Sequence, residues 1–175
     1  MLSTMQDFPL TIGMIFRHGR AVHPDGQVVT FDGEGTRSAT FTEIADRAER
    51  LAAALDRLGV GAGDRVATLC WNHHAHLECY FGIPAAGGVM HTLNLRLSPD
   101  EIGWIAGHAQ DRFLVVDDIL LPLYRQFADR HRFERVIVFP FSGAPVPEGF
   151  DDYEALLAAA DPDRSEEHTS ELQSH

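Results

Sequence analysis

Residues 64–102 read DRVATLCWNHHAHLECYFGIPAAGGVMHTLNLRLSPDEI, and this segment carries the clearest alternation of strand and helix patterns in the chain. Residues 65–70 are almost entirely apolar, which is typical of a short strand that is buried on both faces of a parallel sheet. A helix is predicted over residues 74–86, where Gly87 and Gly88 end it, and residues 89–93 form the next strand. A strand, a helix and a second strand in this order predict a right-handed βαβ unit.

The flanking sequence continues this alternation of strands and helices. Thr40 and Glu43 form a capping box that begins a helix ending near residue 58, and Ser98 and Glu101 form a second one. Further strands are predicted over residues 27–31, 38–41, 113–116 and 136–139, and further helices over residues 9–20, 120–130 and 151–160. The sequence therefore predicts an α/β fold, with a mostly parallel sheet, flanking helices and a short N-terminal β-hairpin.

The charged residues exclude several classes of function. All 14 basic residues are arginines, 26 residues are Asp or Glu, and the formal net charge is −12. Nucleic-acid binding requires clustered positive charge, so we expect no nucleic-acid partner. The absence of lysine excludes chemistry that requires an ε-amine, such as a P-loop lysine or a lysine on a transferring adenylyl group, and arginine does not replace it there.

The cysteines and the N-terminal sequence predict a cytoplasmic protein. Two cysteines, Cys70 and Cys79, are too few for a disulfide framework and are expected to be reduced thiols. No run of about 18 apolar residues is present, as a transmembrane helix would require. Residues 1–14 contain Asp7 and no basic residue, so they are not expected to be a signal peptide.

A group of histidines lies between the two cysteines, at His73, His74 and His76. Neighbouring histidines point in different directions on any regular element, and the spacing fits no standard zinc pattern, so no metal site is predicted. This segment is expected to be the loop between a strand and a helix at the carboxyl edge of the sheet. Ligands bind at that edge in open α/β sheets, so contact with a substrate or a partner stays open as an alternative.

Other arrangements that could support catalysis are incomplete. No G-x-S-x-G motif occurs, and neither cysteine has an obvious histidine partner. Asp117 and Asp118 follow a strand directly and are expected to begin a helix. We therefore predict no catalytic, cofactor-binding or metal-binding residue in this chain.

The last residues differ from the remainder in composition. Residues 164–175 read RSEEHTSELQSH, with Leu172 as their one apolar residue. Residues 164–174 closely resemble the in-frame translation of a common sequencing-library adapter. We expect residues 164–175 to be a non-native, disordered tail, and residues 1–163 to be part of a domain that continues in the natural protein.

The stretch 64–102 is very similar to the N-terminal part of the fatty-acyl-CoA synthetases, which belong to the acyl-adenylate-forming (AMP-binding) superfamily. The resemblance covers residues 1–163, and the segments 71–72, 76–78 and 91–99 look most like the medium- and long-chain branch. It implies that the chain is the first subdomain of the large N-terminal domain, and that this domain is incomplete. The parent enzyme would join a medium- or long-chain fatty acid to ATP, forming acyl-AMP, and then to coenzyme A, with Mg²⁺ present.

The motifs that perform this chemistry in similar enzymes lie downstream of the position where this chain ends. The resemblance therefore implies that the fragment binds no cofactor and is inactive, although the parent uses ATP, Mg²⁺ and coenzyme A. His91, Asn94 and Arg96 are the residues expected to support the substrate region. Similar enzymes can dimerise through this part, so a homodimer stays open, as do membrane association and the acyl chain length. A stand-alone α/β binding or dimerisation module is the alternative.

Overall fold

The computed structural model describes residues 11–160 of the 175-residue chain. Within this range the helices are α1 (Ile12–Val22), α2 (Phe41–Arg57), α3 (His74–Ala85), α4 (Pro99–Ala109), α5 (Leu121–Tyr124) and α6 (Tyr153–Ala159). The strands are β1 (Gln27–Phe31), β2 (Thr36–Thr40), β3 (Arg65–Leu69), β4 (Val89–Thr92), β5 (Phe113–Asp117), β6 (Arg135–Phe139) and β7 (Asp151–Asp152). None of these helices has the length and apolar content needed to cross a membrane.

The strands form two sheets, and they confirm the predicted α/β class. β1 and β2 pair antiparallel as the N-terminal hairpin, whose turn is held by the Asp32 carboxylate accepting from the N–H groups of Glu34 and Gly35. The other five strands pair in parallel, in the order β4-β3-β5-β6-β7. The central strands β3 and β5 are almost entirely buried, as their continuous apolar sequences require.

Helices cover both faces of the five-stranded sheet. The first apolar core joins α2, α3 and α6 to one face of the sheet, through side chains such as Leu51, Ile83 and Val115. The second core joins α4, α5 and the segment after α5 to the other face, through side chains such as Ile102, Phe127 and Leu114. The alternate residues of β5 thus pack into opposite cores, as the period of two along a strand requires.

Both predicted capping boxes are present. The Thr40 hydroxyl accepts from the Glu43 N–H at 3.2 Å, while the Glu43 carboxylate accepts from the Thr40 N–H at 2.6 Å. Ser98 and Glu101 make the same reciprocal pair at the start of α4. Each box satisfies backbone donors that a helix leaves unpaired in its first turn, so these two helices begin where the sequence predicts.

Two predicted helices differ from the structure. The helix expected over residues 120–130 is α-helical only in α5, because the bonds from Gln126, Phe127 and Arg130 run to the carbonyl three residues back and form turns. The segment expected to be helical over residues 151–160 begins with β7, which adds a fifth strand to the sheet, and α6 follows it. Residues 9 and 10 of the predicted first helix, and the tail 164–175, lie outside the described residues.

A buried ionic network joins the three helices on the first face. The Glu78 carboxylate, on α3, is fully buried and accepts from Arg47 Nε at 2.7 Å and from the Tyr153 hydroxyl at 2.7 Å. The two terminal nitrogens of Arg47 also bind the Glu154 carboxylate, which is 42% exposed. Burial raises the pKa of Glu78, while the guanidinium of Arg47 opposes that shift. This arrangement fixes α2, α3 and α6 relative to one another.

The contact between α2 and α3 depends on a glycine. A Cβ atom on Gly82 would lie 2.8 Å from the carbonyl oxygen of Ala48 and 3.0 Å from Leu51, both on α2. Backbone atoms cannot move away from such a contact as a flexible side chain can. Gly82 therefore allows the two helices to approach closely.

Candidate functional site

The carboxyl edge of the parallel sheet contains a topological switch point. β3 and β5 are neighbours, but α3, which follows β3, packs on one face, whereas the chain after β5 packs on the other. The two connections therefore diverge beyond the ends of these strands. In open α/β sheets ligands bind in the crevice that such a divergence creates.

Asp117, the last residue of β5, joins the two sides of this crevice. Its side chain is fully buried, and its two oxygens accept from the Trp71 N–H at 2.8 Å and from His73 Nε2 at 2.8 Å. His73 Nδ1 accepts from the His76 N–H at 3.3 Å, which caps the N-terminus of α3. These partners place the proton of His73 on Nε2. The sequence predicted that Asp117 and Asp118 begin a helix, and Asp117 is the N-cap residue of the 3₁₀ turn Asp118–Leu120. Its carboxylate makes no capping bond there and connects β5 to the β3–α3 loop.

His76, in the first turn of α3, contacts β3. Its Nε2 lies 3.1 Å from the Thr68 hydroxyl on β3. Burial lowers the pKa of His76. The backbone N–H of Trp71 is bound by the buried carboxylate of Asp117, while 43% of the residue is exposed to solvent.

The third histidine contacts a different element. The N–H of His74 donates to the Thr30 hydroxyl at 3.0 Å, and Nδ1 of its ring lies 3.3 Å from the same oxygen, so α3 is joined to the hairpin. Burial lowers the pKa of His74 to about 4. The three histidines therefore contact Asp117, Thr30 and Thr68 separately, in agreement with the prediction that they point in different directions.

Cys70 lies beside His73 and Asp117, and ligand atoms of these three buried residues lie within 4.8 Å of one another. Sequence reasoning missed this proximity, because Asp117 is distant along the chain. Both nitrogens of His73 are already hydrogen-bonded, and burial raises the pKa of the Cys70 thiol well above its ordinary value. The thiol donates to the Val115 carbonyl at 3.6 Å. A thiol and an imidazole are not the oxygen ligands that Mg²⁺ requires, so this set does not fit the metal of a nucleotide site.

The residues predicted to support the substrate region lie at two places. His91 is within the edge strand β4, and its Nδ1 lies 2.9 Å from the buried carboxylate of Asp111, whose pKa burial raises. Asn94 and Arg96 are exposed in the loop after β4, where the Asn94 side chain accepts from the Arg96 N–H at 3.0 Å. This loop shares the carboxyl edge with Trp71, whereas His91 joins β4 to the connection before β5. Their role with substrate stays a prediction.

Comparisons with known proteins place this fold in one family. The profile of the AMP-binding enzyme family matches residues 16–171. The chain is 43% identical over 171 residues to the long-chain-fatty-acid–CoA ligase of Thermus thermophilus, with 96% of this chain and 31% of that protein covered. It is 39% identical over 125 residues to the medium-chain-fatty-acid–CoA ligase of Ectopseudomonas oleovorans, with 70% and 23% covered.

Solved structures show the same architecture. The anthranilate CoA ligase AuaEII superposes with a TM-score of 0.76 at 24% identity, with 89% of this chain and 30% of that chain covered. The benzoate CoA ligase of Burkholderia xenovorans LB400 gives a TM-score of 0.70 at 25% identity, with 86% and 28% covered. The chain thus spans about a third or less of the length of the proteins that it matches.

Proposed function

The chain belongs to the family of AMP-binding enzymes, and from this premise we propose that the complete protein containing it is a fatty-acid–CoA ligase. The observation that carries the proposal is the 43% identity, across 96% of the chain, to a long-chain-fatty-acid–CoA ligase. The fold is that of the N-terminal part of adenylate-forming enzymes, and it agrees with this assignment.

The proposed reaction has two steps. A carboxylate oxygen of the fatty acid attacks the α-phosphorus of ATP, forms acyl-AMP and releases pyrophosphate. The thiolate of coenzyme A then attacks the acyl carbon, the bond to AMP breaks, and an acyl thioester is formed. Mg²⁺ would neutralise charge on the phosphates during the first step.

We assign to residues 11–160 the scaffold of this enzyme rather than its reacting groups. The 175 residues contain no lysine, so they offer no ε-ammonium group for the phosphates or for the adenylation transition state. The Cys70 thiol and the His73 imidazole, which lie beside Asp117, are not the oxygen ligands that Mg²⁺ requires. A cytoplasmic location, a homodimer and the absence of a nucleic-acid partner stay predictions.

Exchange of labelled pyrophosphate into ATP tests the proposal, because it measures the adenylation step alone. The protein from the complete reading frame is compared with the 175-residue chain, each with medium- and long-chain fatty acids and with the acid omitted. We expect acid-dependent exchange from the complete protein and background exchange from the 175-residue chain. No exchange from the complete protein would refute the ligase and favour a binding module. Exchange by the 175-residue chain would refute the scaffold assignment.

A further inference from the structure

The β3–α3 loop presents an exposed aromatic side chain on a fixed backbone. The Trp71 N–H is bound by the fully buried carboxylate of Asp117 at 2.8 Å. A surface loop between a strand and a helix does not need this bond, since water can satisfy its backbone. A binding residue benefits from it, because a backbone that is already held in place limits the positions of its side chain and lowers the entropy lost when a ligand arrives.

Two further apolar side chains occupy the same edge. Ile119, which follows β5, is 44% exposed. Phe141, which follows β6, is partly buried, and the centroid of its ring lies 5.2 Å from that of the His73 ring. β3, β5 and β6 are consecutive strands of the sheet, so Trp71, Ile119 and Phe141 each follow the carboxyl end of one of three neighbouring strands. This apolar edge lies beside the switch point, where a ligand is expected.

We propose that Trp71 is a specificity-determining contact for the apolar chain of the carboxylic acid substrate, and that Asp117 is the positioning residue that acts through it. The proposal rests on the proposed ligase function, since that function supplies an acid with an apolar chain. An apolar chain is favoured as the occupant because these three side chains offer apolar surface and carry no charge.

The positioning role predicts a spectroscopic change in the 175-residue chain. The sequence has two tryptophans, so Trp104→Phe leaves Trp71 as the one tryptophan, whose emission is excited selectively over that of the three tyrosines. In that background Asp117→Asn is almost isosteric but lacks one of the two acceptor oxygens. We expect red-shifted emission and stronger acrylamide quenching, while Asp129→Asn, a substitution at an exposed acid, changes neither. Unchanged emission and quenching in folded Asp117→Asn, with folding checked by circular dichroism, would overturn the positioning role.

The contact role is tested in the complete enzyme, where Trp71→Ala changes an exposed side chain and leaves the buried network in place. We expect KM for a long-chain acid to rise about tenfold, or about 1.4 kcal/mol, and KM for a shorter acid to rise less, because apolar contacts scale with chain length. We expect kcat and the KM values for ATP and coenzyme A to be unchanged. Trp104→Ala, which removes a tryptophan that is 66% exposed on α4, is the matched control and should alter none of these constants.

The outcomes separate this inference from the proposed function. An unchanged KM for the long-chain acid, or a raised KM for coenzyme A or ATP instead, would overturn the inference while the enzyme remains a ligase. A complete wild-type protein without ligase activity would refute the proposed function. The fluorescence result would still decide whether Asp117 positions Trp71.

Discussion

Replacement of Arg47 by Met should destabilise the protein strongly, because it removes the cation that faces a buried carboxylate. Glu78 has no exposed surface, and Arg47 is 29% exposed. Breaking a buried ion pair by removing one partner costs about 3–5 kcal/mol. Water partly screens the Arg47 side, so we expect the lower end of this range, about 3 kcal/mol. For a chain of this size that loss corresponds to a fall in Tm of roughly 6–12 °C.

Glu154→Gln is the matched control, since it removes the other carboxylate that the same guanidinium binds. That carboxylate is 42% exposed, and exposed ion pairs contribute about 0–1 kcal/mol. The two variants are compared with the wild-type chain by thermal unfolding at neutral pH. Equal decreases in Tm, or a decrease of less than about 2 °C for Arg47→Met, would refute the assignment of the stabilisation to the buried half of the network.

The pH dependence provides a second check on the same variant. Burial raises the pKa of Glu78, and loss of Arg47 removes the charge that opposes the shift. A carboxyl group whose pKa is raised in the folded state binds its proton more tightly there, so falling pH favours the folded variant. The difference in Tm between the wild type and Arg47→Met should therefore narrow from about pH 8 to about pH 5. A constant difference would show that the carboxylate charge is not the cause.

Three further substitutions test other contacts. Gly82→Ala should cost roughly 1–3 kcal/mol, measured by urea denaturation, because the new Cβ would meet a carbonyl oxygen of α2 at 2.8 Å, whereas Gly35→Ala meets no atom within 4 Å and should be nearly neutral. Thr40→Ala removes the hydroxyl that caps α2 and should cost about 1 kcal/mol in the same assay, and an unchanged midpoint would contradict the capping role. The pKa of His74 is lowered to about 4 in the folded state. At pH values above the ordinary histidine pKa the ring is neutral in both states, and as pH falls from there towards about 4 the unfolded state takes up the proton first, so the folded state loses stability. Thermal unfolding should therefore depend less on pH over this interval in His74→Gln than in the wild type, while His108→Gln, at an exposed position, keeps the wild-type dependence.

The elements that the sequence predicts well are those stabilised by neighbouring residues. Thr40 and Glu43, or Ser98 and Glu101, are three residues apart, so a capping box is visible as a pattern. The apolar runs of β3 and β5 predict a buried parallel sheet for the same reason. The β7 strand was not predicted, because its two acidic residues have no strand pattern. Its extended conformation is stabilised by the parallel pairing with β6.

The candidate site was predictable in location but not in its contacts. The loop containing His73 does lie at the carboxyl edge, as the strand–helix order indicates. Asp117, however, resembles a helix start in sequence, and its role follows from bonds to Trp71 and His73 that span 46 and 44 residues. Nothing in the local pattern marks those partners.

The α/β class and the two capping boxes follow from the sequence alone, because short-range hydrogen bonds and apolar periodicity are set within a few residues. Membership in the AMP-binding family follows from similarity of sequence along the chain. Two contacts follow only from the tertiary structure. The Tyr153 hydroxyl donates to Glu78, 75 residues away, and the Trp71 N–H in the β3–α3 loop donates to Asp117. Such contacts depend on strand order and on which face each crossover covers. Only the folded chain brings these polar side chains out of water and against partners that offset the cost of burying them.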